Sequence, residues 1–210
     1  MPKLTVRLLR PAERRRLEEY LRLYSRCFNP DERVSPAVLR RVMVPSAARV
    51  NPVHLFAAYR GERLVGGVCN LVLPAFRAVF GAYIFVDPTL RGQGLGKRIL
   101  REALRQERRG AHGWNWRVYV EVTAASGDPW HAALVKSGFR FFPALWPLVS
   151  YRHSGKVVAG RLGYFPFRKN PPPRFSQPAF LLYIHSLFYG PEATHRHLLP
   201  RLKDFVRLSA

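Results

Sequence analysis

The residue types with most chemical potential lie together at Val86-Asp87-Pro88-Thr89-Leu90-Arg91-Gly92-Gln93-Gly94-Leu95-Gly96-Lys97. An apolar run ends at Val86, Pro88 forces a turn, and a patterned helix begins among the glycines, so several unpaired backbone N–H groups must converge there. Such a convergence attracts anions. Glycines at 92, 94 and 96 let a phosphate approach the main chain without a Cβ in the way, and the helix dipole adds to the attraction. Arg91 and Lys97 supply further positive charge.

Two common glycine motifs are excluded by spacing. A P-loop needs glycine at 91 and Ser or Thr at 98, where this chain has Arg91 and Arg98. A dinucleotide fingerprint started at Gly92 or Gly94 would need glycine at 97 or 99, which are Lys97 and Ile99. Arg91-x-x-Gly94-x-Gly96 after Val86-Asp87-Pro88 instead resembles the acyl-CoA-binding motif of the GCN5-related N-acetyltransferase (GNAT) superfamily. His131-Ala132-Ala133-Leu134-Val135-Lys136-Ser137-Gly138-Phe139-Arg140 is similar to that superfamily's motif B, a helix closed by Gly-Phe before the next strand. The bland alternative is a glycine-rich helix start and a glycine cap in an unrelated α/β protein. The resemblance covers about residues 1–150.

What the resemblance implies can be set down by position. The fold would be α/β (α+β), with a mixed, mostly antiparallel central sheet flanked by helices and two splayed central strands. The N–H groups of Arg91, Gly92, Gln93, Gly94, Leu95, Gly96 and Lys97 would hold the pyrophosphate of acetyl-CoA, and Phe85 and Val86 would bracket its pantetheine. Their main-chain groups would also polarise the thioester carbonyl. The implied reaction is direct transfer of an acetyl or short acyl group to an amine of a small molecule or protein.

The amine must arrive neutral to attack, so a base or a water chain is required. Glu121, on the polar face that it shares with Tyr119 and Arg117, is the leading candidate base; its alternative role is a salt bridge to Arg117 or another arginine. Family members often carry an acid tyrosine four residues before the motif B glycine, a position held here by Leu134. Tyr83, Tyr119, Tyr151 or a water would have to substitute, and each tyrosine has an alternative role in packing. His131 is a weaker candidate at a helix start. Asp87 and Asp128 read as a turn residue and a helix cap.

The elements that position these residues follow from periodicity. Leu4 to Leu9 reads as a first strand. Leu17, Tyr20, Leu21, Tyr24, Cys27 and Phe28 form one stripe of a helix ended by Asn29-Pro30. Ser35 caps a short helix from Pro36 through Met43. His54–Tyr59, Leu64–Leu73 and Phe76–Val86 form a strand meander. Gly96, Ile99, Leu100, Ala103 and Leu104 mark the buried side of the next helix, and Trp116 to Thr123 alternates as a strand. A helix from Pro129 through Lys136 precedes strand material at Phe139–Phe142 and Leu145–Tyr151. Residues 154–177, with prolines 171–173, read as a basic loop or arm. Ala179–Leu187 reads as a late strand, and a helical tail starts at Pro191 and is kinked at Pro200.

Composition bounds the rest. The chain of 210 residues is 48% hydrophobic, enough for one large domain across 1–210, with a core at about 1–150 and residues 151–210 appended. No run approaches the roughly 20 apolar residues of a membrane span, and a cytoplasmic protein is expected. Cys27 and Cys69 lack metal-ligand spacing and read as buried thiols; no metal is expected. With 35 Lys and Arg against 13 Asp and Glu, the formal net charge is +22. That charge suits an anionic cofactor, and also leaves open a basic nucleic-acid-associated protein. Leu134 leaves open a catalytically weak acyl-CoA-binding or regulatory domain. The late strand and apolar tail would support a homodimer.

Overall fold

Alternating apolar residues in the first half of the chain become a four-strand antiparallel meander, β1 (Leu4–Leu8), β2 (Val53–Arg60), β3 (Arg63–Leu73) and β4 (Ala78–Val86). The computed structural model describes residues 3–30, 32–43, 53–73, 76–110, 117–123, 129–149 and 157–166, together with residues 180, 184 and 186. Helices α1 (Arg14–Cys27) and α2 (Pro36–Met43) join β1 to β2, and α3 (Leu95–Gly110) joins β4 to β5 (Arg117–Thr123). Then come α4 (Pro129–Lys136), β6 (Arg140–Val149) and β7 (Val157–Pro166). The seven strands form one sheet in the order β1-β2-β3-β4-β5-β7-β6, in which only β4 and β5 run parallel. This is the mixed, mostly antiparallel sheet flanked by helices that the sequence implied.

Period-two alternation decides which helix each strand faces. Leu55, Cys69, Leu71, Phe80, Tyr83, Phe85 and Tyr119 are buried on one face with Leu17, Tyr20, Leu21 and Tyr24 of α1 and Leu39 and Met43 of α2. On the other face, Phe56, Val65 and Val68 pack with Leu95, Ile99 and Ala103 of α3, while Val118, Val120 and Val122 pack with Leu100, Leu104 and Leu134. Ser35 caps α2 as expected, its Oγ accepting from Val38 N at 3.3 Å.

The late region departs from the sequence reading in three ways. Residues 157–166, read as part of a loop, form β7, which pairs with β5 on one side and β6 on the other. Glycines in a strand interior weaken the strand signal, but Gly163 is where a neighbour comes close: a Cβ there would lie 2.7 Å from the Phe141 ring. The two strand stretches expected at 139–151 form the single strand β6, whose register shifts between Phe141 and Leu145. Phe180, Ile184 and Ser186, read as strand, are helical. The run 180–184 is uniformly apolar and carries no period of its own; burial of both Phe180 and Ile184, four residues apart, reveals the helix face. The expected tail from Pro191 lies outside the described residues.

Candidate functional site

A change of register in β4 opens the site. β3 and β4 pair Asn70 with Gly81 and then Cys69 with Tyr83, so Ala82 is an extra residue on β4. A bulge bends the strand that carries it. Beyond it, the parallel β4–β5 ladder, which runs from Ala78–Arg117 to Gly81–Val120, stops. β4 continues to Val86 and β5 to Thr123 without pairing to each other, so the sheet is split between them. At the apex of the split lies a small cavity, about 50 Å³, lined among others by Asn70, Tyr83, Glu121, Trp130 and Leu134.

Strand alternation orients the main chain at the mouth of this gap. Asp87 N donates to Val65 O across to β3, so the amide and carbonyl of Val86 are turned to the opposite edge, toward the gap. The same alternation turns the main chain of Phe85 to β3, and its ring packs edge-on against Tyr20 at 5.0 Å. The two residues therefore contribute differently: Val86 offers polar groups, and Phe85 offers packing.

The glycine-rich loop continues directly from this edge. Pro88–Leu90 form one 3-10 turn, and the first bond of α3 runs from Arg98 N to Gly94 O at 3.3 Å. Within the described residues the N–H groups of Gly92, Gln93, Gly94, Leu95, Gly96 and Lys97 have no backbone acceptor. Arg91, Gly92, Gln93, Gly94 and Lys97 are exposed. Gly92 and Gly94 sit at φ +80° and +68°, and a Cβ at either would meet nothing within 4 Å. Their backbone curls the N–H groups inward, and no side chain obstructs the approach. Arg60 donates to Gln93 Oε1 at 3.2 Å, bringing another cation to the rim.

Asp87 is the brace beneath the loop. Its carboxylate accepts from Thr89 N at 3.1 Å, Thr89 Oγ1 at 2.9 Å and Arg63 at 3.1 Å. The Thr89 amide bond, then the Thr89 hydroxyl and Arg63, hold this carboxyl below its ordinary value of 3.8. A depressed carboxyl stabilises the fold above its unfolded value and loses that contribution as pH falls through the folded value. Asp87→Ala is therefore expected to cost about 1–2 kcal/mol at neutral pH, with the difference from wild type shrinking below pH 3.8. Urea melts of the two proteins at pH 7 and pH 3 measure this; a constant difference would show that the carboxylate charge is not what matters.

The expected catalytic residues are distributed unevenly. Glu121 is half-buried on β5 opposite Leu162 of β7, and it lines the apical cavity with Tyr83. The Tyr83 hydroxyl accepts from Val34 N at 2.9 Å, and burial raises it well above the usual phenol range. Tyr119 is 1% exposed, pushed up to about 12 by burial, and its ring packs against Phe180 at 5.3 Å on the α1 face. Tyr151, like Asp128, lies outside the described residues. His131 stacks on Phe141 at 4.3 Å. Leu134 is fully buried and lines the cavity, so the position where the resemblance places a tyrosine does face the gap.

Two features were not found from sequence. Cys27, half-buried rather than buried, donates through its thiol to Val86 O at 3.5 Å, and burial raises it against the pull of Arg91. Nothing local announces a contact between residues 59 apart in sequence. The second is a polar cluster behind the cavity: Asn70 Nδ2 donates to Glu107 Oε1 at 2.8 Å, and His54 Nδ1 lies 3.1 Å from the same carboxylate. Glu107 lies one turn beyond Ala103 and Leu104 on the buried side of α3, and that position was the available signal. The cluster ties α3 to β2 and β3 beneath the split.

A family model, the acetyltransferase (GNAT) domain, matches residues 51–140, from β2 through the glycine-rich loop and α3 to the start of β6. Over that stretch the chain is similar to the GNAT domain. Solved structures share the fold of this chain at low identity. A protein assigned to the GNAT acetyltransferases from Bacteroides thetaiotaomicron superposes at TM-score 0.69 and 14% identity, over 89% of this chain and 98% of its own. The ribosomal-protein-S18-alanine N-acetyltransferase of Escherichia coli gives 0.59 and 15%, over 83% and 100%. A Bacillus subtilis acetyltransferase in complex with CoA gives 0.56 and 14%, over 79% and 100%. No curated protein matches the chain by sequence. Among the described residues no helix is long and apolar enough to cross a membrane, and no group of three His, Cys, Asp or Glu side chains is placed to hold a metal.

Proposed function

We propose that this chain is an N-acetyltransferase that takes an acetyl or short acyl group from acetyl-CoA and passes it to an amine. The observation that carries the reading is the alignment of the β4–β5 split with a row of six unbonded amides, Gly92 to Lys97, at its mouth. Acetyl-CoA would supply an activated acyl group as its thioester. The loop amides, with Arg91 and Lys97, are suited to its diphosphate, and the Val86 main chain to the amides of its pantetheine. One oriented donor at the developing negative charge on a thioester oxygen contributes about 3 kcal/mol, which the edge of β4 can provide without a special side chain. Glu121 at the cavity is the base that accepts the amine's proton.

The acceptor class stays at a small-molecule or protein amine. The E. coli relative is an alanine N-acetyltransferase of a ribosomal protein, and another fold relative, at TM-score 0.58, is a spermidine N-acetyltransferase chimera. Acetyl-CoA at 100 times its Kd is expected to stabilise the protein by about 2.7 kcal/mol. Incubation with a panel of amines should then release free thiol, measured with a chromogenic disulfide. No shift in Tm with acetyl-CoA would remove the reading. A shift without thiol release across the panel would favour a catalytically weak acyl-CoA-binding domain, the reading that buried Leu134 at the cavity supports.

A further inference from the structure

The cofactor loop uses only the first turn of α3, yet the basic residues continue along the whole helix. Arg98, Arg101, Arg105, Arg108 and Arg109 are all exposed. At about 100° per residue they fall within an arc of roughly 100°, opposite the buried stripe, and over about 16 Å of helix axis. The two acidic residues on α3 offset this ridge at Arg105 alone. Glu107 is buried and bonded to His54 and Asn70. Glu102 is taken up by Arg105, at 2.5 and 2.8 Å, and by Gln106 at 3.0 Å. Among the described residues no carboxylate lies within 4 Å of Arg98, Arg101, Arg108 or Arg109.

The ridge also borders a groove. Gln106 donates to Val6 O at 2.8 Å and fastens α3 to the edge strand β1. The open depression between the two, about 490 Å³, is lined by Lys3, Arg98, Arg101 and Arg105, with the partnered Glu102 its only acidic residue. A cationic groove of this volume exceeds what a single small anion would fill. Its chemistry also argues against a protein partner, whose interface would need an apolar centre. The only exposed large hydrophobic residues among the described ones are Leu8 and Val135, neither of which lines the groove. Polar, strongly cationic surfaces built from arginine forks are the signature of phosphodiester recognition.

We propose that the α3–β1 groove binds the sugar–phosphate backbone of a nucleic acid without reading its bases. The proposal is independent of the acetyl-transfer reading, because the ridge lies beyond the amides assigned to acetyl-CoA. The test is fluorescence anisotropy with a labelled 20-nucleotide RNA and a DNA of the same sequence, titrated across a range of salt. The full-length chain is compared with Arg98→Gln/Arg101→Gln/Arg105→Gln, the α3 arginines that line the groove, and with a charge-matched control on α1, Arg14→Gln/Arg15→Gln/Arg22→Gln.

The wild type should bind with log K falling linearly in log salt. The α3 variant should lose about 2–3 from that slope and about 100-fold in affinity at 0.1 M salt, since each lost phosphate contact removes roughly 0.7–0.9 from the slope. The α1 control should lose much less. Melting curves check that both variants fold, and the acetyl-CoA Tm shift reports separately on the cofactor site. Stronger binding of RNA or of DNA identifies the source of the backbone, and either is consistent with the groove. Equal losses in the two triple variants would overturn the proposal, because net charge alone would then account for binding. Competition by polyglutamate as effective as that by the nucleic acid at equal charge would overturn it in favour of an acidic protein partner.

Discussion

Gly94→Asp is expected to weaken acetyl-CoA binding by at least about 100-fold while leaving the protein folded. The position is exposed, a Cβ there meets nothing within 4 Å, and Asp tolerates a positive φ better than most residues. Strain at +68° therefore costs about 1 kcal/mol, which the Asn companion shares. The carboxylate, however, would stand among the amides of residues 92–97 that are proposed to receive a diphosphate. Two like charges about 4 Å apart at an effective dielectric of roughly 20 repel by about 4 kcal/mol, which is more than 100-fold. Gly94→Asn is the informative companion, because it has the same shape and the same tolerance of φ without the charge. Isothermal titration with CoA should rank the affinities wild type, then Asn, then Asp. An Asp variant that binds like wild type would mean that the diphosphate is held elsewhere.

The second large effect concerns proton removal from the acceptor. Glu121→Gln is expected to lower kcat by about 10²- to 10⁴-fold near neutral pH, the usual worth of a positioned base. Because an amine loses its proton unaided as pH rises, the ratio of wild-type to variant rate should narrow steadily toward high pH. The KM for acetyl-CoA should not change, since Glu121 lines the cavity at the apex of the split and not the loop. This combination separates a base from a strut: a purely structural Glu121 would lower stability and shift both constants together at every pH. A variant whose pH profile overlays that of wild type would transfer the role to a water chain.

The acyl-transfer reading and the nucleic-acid reading were rivals while only composition was available, because a net charge of +22 serves either. In the fold they occupy different places. The loop amides and Lys97 stand at the N-terminal end of α3, and the arginine ridge runs along its outer side. One helix can therefore present both surfaces.

The meander and the helices on it were legible because each of those segments has a clear period. Leu17, Tyr20, Leu21 and Tyr24 repeat at helical spacing, and Val118, Val120 and Val122 repeat at two. The loop was legible for a related reason. Glycines at alternate positions after a strand end are a local instruction, and Gly92 and Gly94 adopt the positive φ that only such residues favour. Asp87 was equally local, bonding to an amide two residues away.

What required the tertiary structure has no local source. The bulge at Ala82 appears only when Asn70 and Cys69 are paired with Gly81 and Tyr83 across the sheet, and without it β4 and β5 would continue as one ladder. β7 is a strand because β5 and β6 offer it edges on both sides, although its glycines and neighbouring prolines weaken any intrinsic preference. The helical state of Phe180 and Ile184 is set by burial of both in the core, Phe180 against Tyr119 and Phe80, where a uniformly apolar run could equally have been a strand. By itself, then, the sequence determined the segments of the meander and its helices, the glycine-rich loop and the charge, all of which arise from neighbours along the chain. Only the folded sheet decided where the split opens and that Glu121 and Leu134 face it, because those outcomes depend on pairings between residues tens of positions apart.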